Sequence, residues 1–314
     1  MIQISVVVPT YNRAHDIERN IPLLCSQSLD PNKYEVIISD NNSTDSTKEV
    51  VTKLSATYKN LHYVHAKKKG AAVARNKGAE IARGPIILFL DDDMIPNKDL
   101  LEQHLKQYED TTVDGVLGYF DIELAKGDNK IFTQFLAKSE VQNEFPFKDK
   151  SVIDFRYFYT GNVSVKKSHF DHVGGFDEGY AQYGVEDIDL GYRLYLEEAK
   201  IVFCKKAYSI HNYSPALGTY VRKRYEAGQS LGYFLHKFPQ IQHYFRFEPF
   251  APIALPVLYF FWTIVFYATY LFSSRSLNAI SFQYFHWKIR YAMYSGYRKS
   301  IFFKRTHTLA ESIR

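Results

Sequence analysis

Residues 86–93 read IILFLDDD, five apolar residues that run into three aspartates, Asp91, Asp92 and Asp93. An unbroken apolar run with a β-branched start is the pattern of a strand buried on both faces. Such strands belong to parallel sheets covered by helices. In open sheets of that kind, ligands bind outside the carboxyl ends of the strands, which is where the three carboxylates fall. Adjacent carboxylates repel one another and call for a cation. Mg²⁺ or Mn²⁺ takes oxygen ligands from one or two carboxylates together with substrate phosphates. A polar turn closed by Pro96 accounts for the same residues, and the run alone does not choose between the two.

The preceding sequence repeats the theme. IQISVVV at 2–8 reads as a fully buried strand. A helix is predicted over 14–28, with Ile17, Ile21, Leu24 and Cys25 on one face and a kink at Pro22. A second strand over 34–39 ends in Asp40-Asn41-Asn42, and Ser43-Thr44-Asp45 caps a helix carrying Val50, Val51 and Leu54. A strand over 61–64, a helix over 71–82 and the strand 86–90 follow. The alternation predicts an α/β fold with a mostly parallel central sheet flanked by helices. It also sets three polar clusters, 9–13, 40–42 and 91–93, at strand ends that one crevice can gather. Further on, 116–124, 163–165 and 201–204 read as strands and 186–199 as an amphipathic helix. The polar and aromatic stretch 129–150 reads as a lid or acceptor loop.

The chain has 314 residues, 46% hydrophobic and 23% charged, within the range of globular proteins. Cys25 and Cys204 lack metal-ligand spacing and read as buried thiols of a reducing compartment. Strand-like sequence from Ile2 leaves no room for a signal peptide. Charge is uneven: 273–314 carry eight Lys/Arg against one acid, Glu311, and the rest carries 31 basic against 33 acidic side chains. A slightly acidic body without a nucleic-acid motif excludes nucleic acid as the partner.

Four segments bear chemistry. Pro9-Thr10-Tyr11-Asn12-Arg13 ends the first strand with an aromatic ring on which a base can stack, and it is also ordinary turn chemistry. Asp40 can accept from a base N–H or cap the next helix. KKKGAAVARNKG at 67–78 offers a glycine turn into a helix with Arg75 inside, suited to a diphosphate; a solvated basic loop explains it equally. Gly174-Gly175-Phe176-Asp177 and then Glu186-Asp187 at a helix start offer a general base or acids favoured by the helix dipole.

Taken together, SVVVPTYNR (5–13), EVIISDNNSTDST (35–47), ARNKGAEIARGPIILFLDDD (74–93), GNVSVKK (161–167), VGGFDE (173–178) and VEDIDLGYRL (185–194) resemble the family 2 inverting glycosyltransferases of the GT-A fold. The likeness runs from Ile2 to about His211, and six motifs in order make it specific. It implies a nucleotide-sugar donor, most often a UDP-sugar, and transfer of a hexosyl or N-acetylhexosaminyl group. It implies that Pro9, Thr10, Tyr11, Arg13 and Asp40 border the nucleotide, with Arg75 near it. Asp92 and Asp93 would serve the ribose and a metal-bound diphosphate, Mn²⁺ or Mg²⁺, with Asp91 and His211 as further metal candidates. Asp187 matches the catalytic base, with Glu186 beside it. Asn162, Gly174, Gly175, Phe176 and Asp177 would border the acceptor and sugar. A catalytic domain is expected over 1–245, its nucleotide-binding half at 1–115 and its acceptor-binding half at 116–245.

Residues 246–314 are expected to form an aromatic, basic helical appendage. No charge falls in 249–274, and 259–303 hold 17 Phe, Tyr and Trp, an enrichment typical of membrane interfaces. The helical stripe Tyr284, Trp287, Tyr291 and Tyr294 and the basic excess predict contact with anionic lipid at the cytoplasmic face of the cell membrane. A helical subdomain packed on protein, or self-association through the tail, is the other reading. Overall the sequence predicts an enzyme acting on a glycan or lipid-linked cell-envelope acceptor. A non-catalytic sugar-nucleotide-binding scaffold and a nucleotidyltransferase are the alternatives, and the latter lacks its glycine-rich activating loop here.

Overall fold

The computed structural model describes residues 1–123, 130–138, 145–212, 215–245, 251–272 and 277–312. Each apolar run becomes a strand. β1 (Ile4–Thr10), β2 (Tyr34–Asp40), β3 (Leu61–His65) and β4 (Ile86–Leu90) pair in parallel in the order β3-β2-β1-β4. Every residue of β2 and β4 is buried, so neither strand needs polar alternation. Helices α1 (Ala14–Cys25), α2 (Thr47–Thr57) and α3 (Ala71–Ile81) make the crossovers. Val6 and Val8 join one core with Ile17, Leu24 and Leu88, while Val7 joins another with Ile37, Ala79 and Phe89. This is the period-two alternation of a strand covered on both sides. Helix α1 stays continuous through Pro22 and stops at Cys25, short of its predicted end. Cys25 and Cys204 are buried free thiols.

Past β4 the sheet becomes mixed. β5 (Met94–Pro96), β6 (Gly115–Ile122), β7 (Asn162–Lys166) and β8 (Ile201–His211) complete the order β3-β2-β1-β4-β7-β6-β8-β5. β7 runs antiparallel to β4 and β6, β6 pairs in parallel with β8, and β5 closes antiparallel on β8. β8 extends well beyond the apolar IVFC because a register irregularity between Gly118 and Tyr119 carries the pairing past exposed Lys205 and Lys206. Helices α4 (Leu100–Gln107), α5 (Lys130–Lys138), α6 (Lys167–His172) and α7 (Glu186–Leu196) follow in chain order. Within the expected lid, 130–138 are helical; 129 and 139–144 lie outside the described residues.

The chain divides into two compact units. One comprises Met1–Glu123, Asn143–Gly179 and Glu186–Tyr213 and contains the whole sheet. The other comprises Leu124–Gln142, Tyr180–Val185 and Ser214–Arg314. It contains α5, α8 (Leu217–Lys237), α9 (Ala251–Phe272) and α10 (Leu277–Ser312). In this unit α8 groups with the C-terminal helices. The reason is close backbone packing. A Cβ on Gly228 would strike the Met293 carbonyl, one on Gly232 the Ser300 side chain, and one on Gly296 the Tyr225 carbonyl. Aromatic contacts fill the rest, with Phe132 and Phe135 against Phe285, Phe266 stacked on Tyr284 and Tyr259 stacked on Tyr291. No helix among the described residues is long and apolar enough to cross a membrane.

Candidate active site

The three aspartates after β4 splay in different directions. Asp91 turns to Arg75, whose Nη2 lies 3.1 Å from its Oδ1. Asp92 accepts from the Thr10 hydroxyl at 2.7 Å, and its backbone carbonyl accepts from the Asn20 amide at 2.8 Å. The Arg13 guanidinium reaches both remaining acids, 4.0 Å from Asp92 and 3.6 Å from Asp93. Asp93 meets His211, Nε2 to Oδ1 3.3 Å, because the β5–β8 pairing sets Met94 opposite His211. Burial, reinforced by the neighbouring Asp93 charge, pushes the Asp92 carboxyl up to about 7.

The ends of β1 and β2 lie side by side. Pro9 is opposite Ser39, Thr10 is opposite Asp40, and the Asn41 N–H donates to the Thr10 carbonyl at 2.8 Å. Asp40 is buried and accepts from the Ser43 N–H at 2.9 Å and the Tyr63 hydroxyl at 2.7 Å. Tyr11 stays 40% exposed, with the Lys69 amine 4.3 Å from its ring centre. The Tyr11 ring is thus open to solvent beside a strand end that carries a buried acid.

The second acidic cluster opens α7. Val185, a β-branched residue at φ 75°, precedes it, a strained conformation that costs roughly 1–3 kcal/mol. Arg75 of α3 lies between the clusters, 2.8 Å from Glu186 Oε1 as well as 3.1 Å from Asp91. The Phe176 ring lies 5.6 Å from the guanidinium carbon. Phe176 is held by Asn76, which accepts from its N–H at 2.8 Å and donates to its carbonyl at 2.9 Å. Gly174 and Gly175, at φ 81° and 68°, make the left-handed turn that delivers it. Asp177 closes the turn by accepting from the Gly179 N–H at 2.8 Å. Asp187 keeps a partly exposed edge within a protein surround. Burial, then the charges of Glu186 and Asp91, raise its carboxyl above the usual carboxylate range, against the lowering effect of Arg75.

Arg75 thus joins the acid cluster that follows β4 to the one that opens α7. The family model for glycosyl transferase family 2 matches residues 5–174, more than half of the chain, and covers Thr10, Asp40, Arg75 and all three aspartates. The chain belongs to glycosyl transferase family 2. A second model, described as the N-terminal domain of galactosyltransferase, matches residues 148–216. Among relatives, the Bacillus subtilis uncharacterized glycosyltransferase YfnE is 28% identical over 68% of this chain. The Streptomyces hygroscopicus validoxylamine A glucosyltransferase is 29% identical over 66%. The matches span only 65% and 51% of those proteins' own lengths. Among solved structures, S. aureus TarS in complex with UDP superposes with a TM-score of 0.57 at 19% identity, covering 95% of this chain and 92% of that one. The Pyrobaculum calidifontis mannosyltransferase PcManGT in complex with GDP-Man and Mn²⁺ gives 0.62 at 20%, covering 95% and 87%. These likenesses carry the GT-A fold alone.

Several residues expected at the site have their partners within the protein. Asn162 is fully buried: its amide donates to the Ala207 carbonyl at 2.9 Å and its carbonyl meets His104 at 2.9 Å. It ties β7 to β8 and α4. Asp91 pairs with Arg75 through Oδ1 and keeps its side chain about one third exposed. Arg75 is itself buried between two acids and orders them. Phe176 is buried, with the Arg75 guanidinium over its ring. His104, Asn76, Asn20 and Tyr63 were not singled out from the sequence. Each is a polar residue in a helix or strand whose partner comes from a distant segment, so no local signal marks it. Among the described residues no three His, Cys, Asp or Glu side chains form a metal cage. Asp93 supplies a carboxylate that fits Mn²⁺ or Mg²⁺ completed by diphosphate oxygens, and the imidazole of His211 beside it favours a transition ion such as Mn²⁺ over Mg²⁺.

Proposed function

We propose that this enzyme is a metal-dependent inverting glycosyltransferase that moves a hexosyl or N-acetylhexosaminyl group from a UDP-sugar to a hydroxyl of a glycan or lipid-linked acceptor. The observation that carries the reading is the Arg75 bridge, which couples the Asp91–Asp93 run to the Glu186-Asp187 start of α7. A donor end and a base end are thereby held in one frame. The complexes of TarS with UDP and of PcManGT with GDP-Man and Mn²⁺ support a nucleotide-sugar donor and a metal.

Asp93 and His211 are the residues to hold the ion, which when bound supplies positive charge for the departing diphosphate. Arg13 adds a guanidinium beside Asp92 and Asp93 that serves the same charge. Tyr11 stacks the base, and Asp40 underlies it. Asp187 takes the acceptor hydroxyl proton, and its raised affinity for protons suits a base working near neutral pH. One base and one in-line displacement invert the anomeric carbon. Residues 1–115 form the nucleotide half, and the turn at Gly174 and Gly175 borders the acceptor side. The aromatic, basic C-terminal helices hold the enzyme at the cytoplasmic face of a membrane.

The test incubates the protein with UDP- and GDP-sugars in Mn²⁺, Mg²⁺ or chelator and follows released nucleotide. Metal-dependent UDP release supports the reading. Binding without release makes the protein a sugar-nucleotide-binding scaffold, and pyrophosphate release makes it a nucleotidyltransferase.

A further inference from the structure

We propose that the outward face of α9 inserts into an anionic phospholipid leaflet. This deepens the membrane reading above and rests on it. Helix α9 is apolar around its whole circumference, with no charged residue between 249 and 274. Half of that circumference is used inside the helical unit: Leu255 is buried, Tyr259 stacks on Tyr291 at 4.9 Å and Phe266 stacks on Tyr284 at 4.6 Å. The other half is Val257, Phe260, Phe261, Ile264 and Tyr267, each 53–69% exposed. Their spacing puts them on one stripe of the helix. A helix facing water is polar on that side. Five bulky apolar side chains in a contiguous stripe mark a contact surface.

Charge selects the occupant. On α10, Lys288, Arg290, Arg298 and Lys299 have no carboxylate partner among the described residues. Each lies instead against an aromatic ring: Lys288 4.9 Å from Tyr284, Arg290 5.6 Å from Trp287, Arg298 6.0 Å from Tyr294 and Lys299 5.9 Å from Tyr225. Lys288 and Arg222 also line a cavity of about 400 Å³ with Tyr259 and Tyr291. Protein interface cores are depleted in lysine. Cations held over tyrosine and tryptophan in the same helical unit as the apolar stripe match a headgroup layer, where aromatic rings sit at the interface and Lys and Arg meet lipid phosphates. The helix lies in the plane of that layer, consistent with no described helix being long and apolar enough to cross it.

The experiment floats the full chain with phosphatidylcholine vesicles, with and without phosphatidylglycerol, and compares Phe261→Asp/Ile264→Asp with wild type. Both residues are exposed, so unchanged circular dichroism and melting temperature are expected. Phe261→Ser/Ile264→Ser is read alongside as the milder pair. Wild type should float with the anionic vesicles, and the Asp pair should weaken partitioning by more than about tenfold, because two inserted side chains outweigh 1.4 kcal/mol. Lys288→Gln/Arg290→Gln should remove the preference for phosphatidylglycerol. Wild-type flotation that the stripe variants leave intact would overturn the inference and leave membrane association standing. No flotation, with a dimer in light scattering that the Asp pair dissociates, would assign the stripe to a second copy and sink both.

Discussion

Arg75 Nη1 donates to Glu186 Oε1 at 2.8 Å, across the gap between α3 and the first residue of α7. The same guanidinium reaches Asp91 at the end of β4. Packed carboxylates are tolerable only with a cation among them, and here one buried arginine serves both clusters. Arg75 Nε and Glu186 Oε2 remain buried without a hydrogen-bond partner, an uncompensated polarity of the sort functional sites retain.

Arg75→Gln should therefore damage stability as well as activity. Removing one member of a buried ion pair costs about 3–5 kcal/mol because the remaining charge is unpaired. Arg75→Lys should fail to restore it, since an ammonium cannot span Asp91 and Glu186 together. Chemical denaturation of both variants checks this; a lysine variant as stable as wild type would mean the bridge is dispensable.

Asp187→Asn should abolish transfer, by roughly 10²–10⁴-fold or more, while UDP affinity stays near wild type. The raised carboxyl also makes a stability prediction. A carboxyl whose folded value lies above its unfolded value favours the fold below about pH 4, and that contribution is lost as pH rises through the folded value. The Asn variant should thus gain stability over wild type as pH increases from 4 toward 8. Melting temperatures across that range read it, and transfer by wild type should fall on the acid side as Asp187 takes up its proton.

Asp93→Asn and His211→Ala should each weaken Mn²⁺-dependent UDP binding in titration calorimetry, while metal-free UDP binding changes little. Asp91→Asn should leave the metal dependence in place and instead lower stability, because Asp91 faces Arg75. Equal metal defects in all three would return Asp91 to the ligand set.

His104 is fully buried, 2.9 Å from both Ser164 and Asn162, and burial pushes its imidazole down to about 4. The depressed value favours the fold above about pH 6.5, and this stability is lost as pH falls toward 4, roughly 3 kcal/mol in all. His104→Gln should flatten that acid limb, measured as denaturation midpoint against pH. His104→Leu should cost about 1–3 kcal/mol for each polar partner it leaves unsatisfied.

The sequence by itself determined the four parallel strands, the order of the motifs and the family. A strand buried on both faces must be apolar or have its polar groups paired, as Ser5 is with Glu35 and Ser39 with the Ala74 carbonyl, and the short runs ISVVV, EVIIS and IILFL between turn signals fit it. The clusters at 9–13, 40–42 and 91–93 were legible for the same reason, since polar residues at the ends of such strands have only the sheet's edge to occupy. Tertiary structure alone decided the partners. Asp91, Asp92 and Asp93 are alike in sequence, yet one meets Arg75, one Thr10 and one His211, because a crossover helix, the neighbouring strand and the β5–β8 pairing each present a different group. Asn162 reads as a strand-end amide and is in fact locked between His104 and Ala207. The aromatic residues of α9 all read alike, and only the packing of α10 separates Tyr259, stacked on Tyr291, from Phe261, left facing outward. Periodicity reports whether a side chain leaves water; which group it meets depends on pairing register and crossovers between segments far apart in the chain.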